Sequence, residues 1–175
     1  MKVLMTCFKP FNHQQINYSY EVLKYIDNVD KVVLDVVYNE CYNQLKNNYI
    51  LDEYDIIIAL GEARSRTVLS IEKQAVNISS CSLPDNLGNI KKDEVIINGG
   101  NDILKTKLDY NKLAIYASIS DDAGKFVCNN LYYHLLNEYE KKSLFIHIPN
   151  CNDDELKYKE FANQIVQILE ILKNN

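Results

Sequence analysis

The run Asp55-Ile56-Ile57-Ile58-Ala59-Leu60 is apolar at every position after its first residue. A strand with one solvated face alternates apolar and polar residues, so an unbroken apolar strand needs cover on both faces. This restricts the chain to a sheet sandwiched between two layers. Other segments fit that frame. Lys2 to Thr6 and the β-branched stretch Lys31 to Tyr38 read as strands, as do Leu113 to Ile119 and the run Ser143-Leu144-Phe145-Ile146. Asn17 to Ile26, Tyr42 to Ile50 and Phe126 to Lys141 read as helices. Asp154 to Lys173 closes the chain as an amphipathic helix with Phe161, Ile165, Ile168, Leu169 and Leu172 inward. Thr67 to Ser79 favours extended structure, and Ser82 to Asn89 (with Pro84, Asp85, Asn86 and Gly88) is a turn-rich loop. Strands alternating with helices predict an α/β fold: a three-layer α/β/α sandwich around a twisted, largely parallel mixed sheet.

In such sheets ligands bind beyond the carboxyl ends of the strands. The loops after Thr6, Leu60, Ile119 and Ile146 fall at that edge. Two residue types with chemistry meet there. Cys128 follows the turn Ala123-Gly124 and stands in the first turn of a predicted helix, where free N–H groups and the helix dipole favour a thiolate. His147 ends an apolar strand just before Pro149. A thiol and an imidazole so placed suit a cysteine hydrolase, although single Cys and His residues are also common as packing residues.

At 175 residues and 47% hydrophobic content the chain suits one globular domain, residues 1–175. A net charge of -5 and the lack of a basic run argue against a nucleic-acid surface. Five cysteines at irregular spacing, with no C-x-x-C, argue against a disulfide framework or a zinc site. No stretch approaches the roughly 20 apolar residues that span a bilayer. The apolar start Met1 to Thr6 is too short for a signal-peptide core. The expectation is a cytoplasmic, reduced protein without membrane or nucleic-acid partners.

Four blocks, in order, resemble one family. Thr6-Cys7-Phe8-Lys9-Pro10-Phe11 with Asn17 downstream resembles T-G-F-x-P-F-G-G…N-P-S. Leu60-Gly61-Glu62-Ala63-Arg64-Ser65-Arg66 followed by Ser70 to Asn77 resembles L-G-Q-A-G-G-R…T-x-E-R-x-A-x-N. Pro84 to Asn89 resembles P-D-N-x-G. Asp122 to Asn129 and Phe145 to Pro149 resemble D-A-G-x-[FY]-[LV]-C-[ND] and F-[IV]-H-[VI]-P. The chain thus resembles the type I pyroglutamyl peptidases (pyrrolidone-carboxylate peptidases), as a divergent and shortened member. The resemblance implies a cysteine exopeptidase without metal or organic cofactor. It would hydrolyse the amide bond after an N-terminal pyroglutamyl residue through a thioester, acting on short peptides or small amides with a blocked N-terminus. It implies Cys128 as nucleophile, His147 as base and Glu72 as its orienting partner. Phe8, Phe11, Phe126 and Val127 would be the apolar walls of the lactam pocket, and Asn17 a polar contact. Family members form homo-oligomers, commonly tetramers in bacteria, and for this chain that state stays open.

The departures are as informative. Cys7 stands where the family has Gly, and Asn12-His13 where it has Gly-Gly, positions at which glycine permits positive φ. Glu62 replaces a Gln, and an ionised carboxylate only accepts hydrogen bonds. Ser82 stands where many members carry Arg, a charge that Arg64 and Arg66 could partly replace. Residues 103–113 are shorter than the family pattern, so the helix usual there is shortened or lost. These changes keep two alternatives open: a related thiol hydrolase with altered small-amide or N-terminal specificity, and a non-catalytic homologue that binds a small ligand.

Overall fold

In the computed structural model, which describes residues 1–174, strands and helices largely alternate. The order is β1 (Val3–Phe8), α1 (Tyr18–Leu23), β2 (Asp30–Leu34), α2 (Glu40–Asn48), β3 (Ile56–Glu62), then β4 (Ser70–Glu72), β5 (Gln74–Val76), β6 (Ile78–Cys81) and β7 (Lys91–Val95). It continues with β8 (Ile103–Lys105), β9 (Ser118–Ser120), α3 (Val127–Tyr139), β10 (Ser143–Ile148) and α4 (Glu155–Lys173). Six strands form the central sheet in the order β2-β1-β3-β10-β4-β9. Neighbours run parallel except β10 and β4, which are antiparallel. This is the expected mixed α/β sandwich. No helix among the described residues is long and apolar enough to cross a membrane.

Side-chain parity splits the core into two slabs, because successive strand residues face opposite ways. Val3, Met5 and Cys7 of β1, Ile56, Ile58 and Leu60 of β3, and Leu144, Ile146 and Ile148 of β10 pack with α1 and α4. Leu4, Phe8, Ile57, Ala59 and Phe145 face the other way, onto α2 and α3. His147 and Gly61 share the parity of that second set, so both face α3. Asn17 caps α1 by accepting the Ser19 N–H at 3.0 Å, and Asp154 caps α4 by accepting the Leu156 N–H at 2.9 Å. The inner face of α4 buries all five residues expected of it.

Several boundaries differ from expectation. β2 stops at Leu34 instead of running to Tyr38, because the next residues turn away: the Asp35 N–H is taken by Gln44 Oε1. β1 extends through Cys7 and Phe8, held by pairing to β2. The strand expected over Leu113 to Ile119 shrinks to Ser118–Ser120, since its partner β4 is only three residues long, and Leu113 ends a 3-10 turn. No α-helix occupies residues 103–113; β8 pairs there with β5. The β6–β7 hairpin is a further element that the turn-rich reading of Ser82 to Asn89 did not reveal.

Candidate active site

The loop between β9 and α3 is tightly turned. Gly124 adopts φ +74°, a left-handed conformation suited to glycine, and its N–H donates to Asp122 Oδ1 at 2.9 Å. This turn delivers Cys128 to the second residue of α3. The first intrahelical bond there runs from Asn130 N–H to Phe126 O, so the amides of Val127, Cys128 and Asn129 precede it. Asn129 anchors the helix start by bonding the Val76 N–H, Val76 O and Ile78 O.

His147 arrives on β10. In the register of β10 against β4, Glu72 stands opposite Phe145, the residue two before His147 on the same face. Diagonal partners on one face lie within reach of long side chains, and His147 Nδ1 meets Glu72 Oε1 at 2.8 Å. In the parallel register with β3, His147 stands opposite Gly61. A Cβ there would lie 2.7 Å from Cys128 Sγ, so the missing side chain makes room for the thiol. Cys128 and His147 line one pocket of about 300 Å³, with Phe8, Phe11, Asn17, Val36, Glu62, Phe126 and Val127 among its walls. Glu72 is wholly buried behind His147. Phe126 packs against Phe11 at 6.0 Å and edge-on to Tyr38 at 5.4 Å.

The electrostatics correct one expectation. The backbone at the helix start favours a thiolate, but burial outweighs it. Burial pushes the Cys128 thiol up to about 12, aided by Glu72 and Glu62 and opposed by Arg66. Burial also holds His147 below the ordinary imidazole value, although Glu72 pulls the other way. The resting pair near neutral pH is thiol and neutral imidazole. Glu72 Oε1 also accepts from Arg66 Nη2 at 2.7 Å. A carboxylate oxygen so engaged can only accept from His147, so Nδ1 carries the proton and Nε2 is the free basic nitrogen.

Two polar wall residues are already engaged. The Asn17 amide caps Ser19 and donates to Lys9 O at 3.1 Å. Glu62 Oε2 accepts the Tyr18 N–H at 2.8 Å, and Oε1 accepts from Arg64 Nε at 2.7 Å. The Arg64 guanidinium lies over the Tyr18 ring at 4.3 Å and reaches Gln14 Oε1. Glu62 is therefore charge-compensated. Asn12 and His13 do adopt left-handed φ, 51° and 60°, so the turn keeps its shape without glycines. His13 is exposed and outside the pocket, and Ser82 is exposed after β6. The Pro84-Asp85-Asn86 turn is a brace: Asp85 accepts from Tyr38, Leu87 and Asn89, and Asn86 holds Pro10 O beside Phe11. Val36, Ser65 and the Asp122 loop also line the pocket; Ser65 and Asp122 lie within the motif blocks, and Val36 lies outside them.

The pyroglutamyl peptidase family model matches residues 1–164. A pyrrolidone-carboxylate peptidase of Brachyspira hyodysenteriae is 34% identical, over 98% of this chain and 96% of its own. The crystal structure of a pyrrolidone carboxyl peptidase from Fervidobacterium islandicum superposes with a TM-score of 0.88 at 26% identity, covering 99% of both chains. That of pyroglutamyl peptidase I from Bacillus amyloliquefaciens gives 0.84 at 28% identity, over 98% of this chain and 92% of that one. The chain belongs to the pyroglutamyl peptidase family of cysteine peptidases.

Proposed function

We propose that the protein removes an N-terminal pyroglutamyl residue from short peptides, with Cys128 as nucleophile, His147 as general base and acid, and Glu72 as the group that orients the imidazole. The carrying observation is the single pocket that holds the thiol and an imidazole whose Nδ1–H is held by a buried carboxylate. His147 Nε2 takes the thiol proton as sulfur bonds to the pyroglutamyl carbonyl carbon. The oxyanion faces the free amides at the start of α3. The C–N bond breaks as the imidazolium returns the proton to the leaving amine, which leaves a thioester. Water then adds to the thioester carbon, giving its proton to Nε2. Collapse expels sulfur, which recovers the proton, and free pyroglutamate departs.

The pocket volume lies at the small end of the range of about 300–1,000 Å³ typical of ligand sites. Phe8, Phe11, Phe126 and Val127 offer flat apolar walls to a five-membered lactam. Glu62 accepts three hydrogen bonds, from the Tyr18 N–H and from Arg64 Nε and Nη2, which leaves one of its roughly four acceptor sites for the lactam N–H. A free N-terminal amine would need an uncompensated carboxylate, and Arg64 removes that attraction. Among N-terminal arylamides, the pyroglutamyl compound is expected to be turned over and the alanyl and prolyl compounds not. Preference for a free-amine substrate would favour the altered-specificity reading, and no turnover of any member would favour the non-catalytic one.

Glu62 and Arg64 act as a matched pair. Glu62→Gln alone places an NH₂ group against either the Tyr18 N–H or the Arg64 Nε–H, donor against donor. Because Arg64 is partly exposed, the expected loss is about 1 kcal/mol. That corresponds to about 2–4 °C in Tm for a chain of this size, without a gain in turnover. Higher turnover in the single variant would show that the carboxylate hinders lactam binding.

A further inference from the structure

The triad acid has a second partner that the mechanism above does not use. We propose that Arg66 is a positioning residue for catalysis: its guanidinium holds Glu72 as an acceptor toward His147 and ties it to the loop that leads into Cys128. The proposal rests on the reading of Cys128 and His147 as the reacting pair.

Glu72 is fully buried, and its Oε2 has no hydrogen-bond partner among the described residues. Both of its contacts, His147 Nδ1 at 2.8 Å and Arg66 Nη2 at 2.7 Å, fall on Oε1. A buried carboxylate needs a compensating charge. Neutral His147 supplies a hydrogen bond and no charge, so the cation is Arg66. The same Nη2 donates to Asp122 O at 2.8 Å and lies 3.3 Å from Ser120 Oγ. One nitrogen thus links β4, the end of β9 and the turn before α3. The Arg66 side chain is 22% exposed, so the link sits at the pocket edge and is not core.

Without the guanidinium, the buried Glu72 carboxylate keeps His147 as its hydrogen-bond partner, and a charged imidazolium becomes the compensating cation. His147 then takes up its proton at higher pH, and the free base is lost. The ionisable groups facing His147 are Glu72 on β4, Arg66 after β3, Asp122 before α3 and Cys128 on α3; Glu62 at the end of β3 faces the thiol. Of these, Arg66 is the cation, and it pulls both His147 and Cys128 downward.

The test is Arg66→Gln beside Arg66→Lys. Ring-proton NMR follows the His147 titration, with His147→Ala used to assign its signal among the three histidines. In Arg66→Gln the His147 midpoint and the acid limb of kcat/KM on the pyroglutamyl arylamide are both expected to rise by about 0.5–1 pH unit. Arg66→Lys keeps the charge, so its midpoint stays at the wild-type value. An unmoved midpoint in Arg66→Gln overturns the proposal, even if kcat falls, because a purely structural latch leaves the titration in place. Should Arg66→Gln fail to fold, a midpoint in Arg66→Lys displaced by as much as a unit does the same. The NMR readout needs no substrate. A moved titration in a protein that ignores pyroglutamyl substrates would sink the substrate assignment and leave Arg66 standing.

Discussion

Cys128→Ser is expected to lower kcat on a pyroglutamyl arylamide by about 10⁴-fold, with Tm within a few degrees of wild type. The change replaces one atom by a smaller one at a partly exposed position, so packing is little affected. The chemistry changes far more. A hydroxyl is a much weaker acid than a thiol, and His147, held below the ordinary imidazole value by burial, is a weak base for that task. His147→Ala should lose activity on the same scale, since groups that act as a unit fail together. It should also be less stable, because it leaves Glu72 buried with Arg66 as its remaining partner. A double variant no worse than either single one would confirm that the two side chains serve one step. Circular dichroism and thermal unfolding report the fold, and steady-state kinetics the loss. Turnover within tenfold of wild type in either single variant would remove these residues from the mechanism.

Gly61→Ala should damage both activity and stability, although alanine is usually a mild replacement. The φ of Gly61 is not positive, so the backbone does not demand glycine. Space does. The added Cβ would stand 2.7 Å from Cys128 Sγ and 2.7 Å from Cζ of Phe145. Phe145 is fully buried between Tyr132 and His147, with ring centroids at 5.6 Å and 4.8 Å, so it has little freedom to move. Overpacking of this kind costs about 1–3 kcal/mol, or several degrees of Tm in a chain of this length. The thiol must also shift. Misplacement of a reacting atom by about 1 Å can cost about 10²-fold in rate, so kcat is expected to fall at least that far. Wild-type kinetics in Gly61→Ala would mean that the sulfur does not lie beside the His147 strand.

Much of this site is legible in the sequence. The unbroken apolar run at Ile56 to Leu60 demanded a doubly covered strand, and the structure puts β3 in the middle of the sheet. The 3.6-residue spacing of α4 named its buried face. The motif blocks contain Cys128, His147 and the aromatic residues that line one pocket, and Glu72 buried behind His147. Other features had no local signature. Arg66 matches a family motif, yet nothing in the chain order pairs it with Glu72 and Asp122 O. Glu62 is compensated by Arg64, two residues away, which folds back onto it, a contact that the motif does not encode. Ser118–Ser120 is short because β4 is short, a limit set by a partner nearly fifty residues away.

Local pattern settled the long strands and helices, such as β3, β10 and α4, and the buried face of α4. Those properties depend on the geometry of neighbouring residues, with periods of two and 3.6. Strand order, register and desolvation belong to the assembled molecule. β4 slots antiparallel beside β10, and only that pairing sets Glu72 diagonal to His147. The protonated resting state of Cys128 was likewise decided in three dimensions. A helix N-terminus acts over one turn, whereas burial against β3, β10 and the aromatic walls pushes the thiol up and outweighs it.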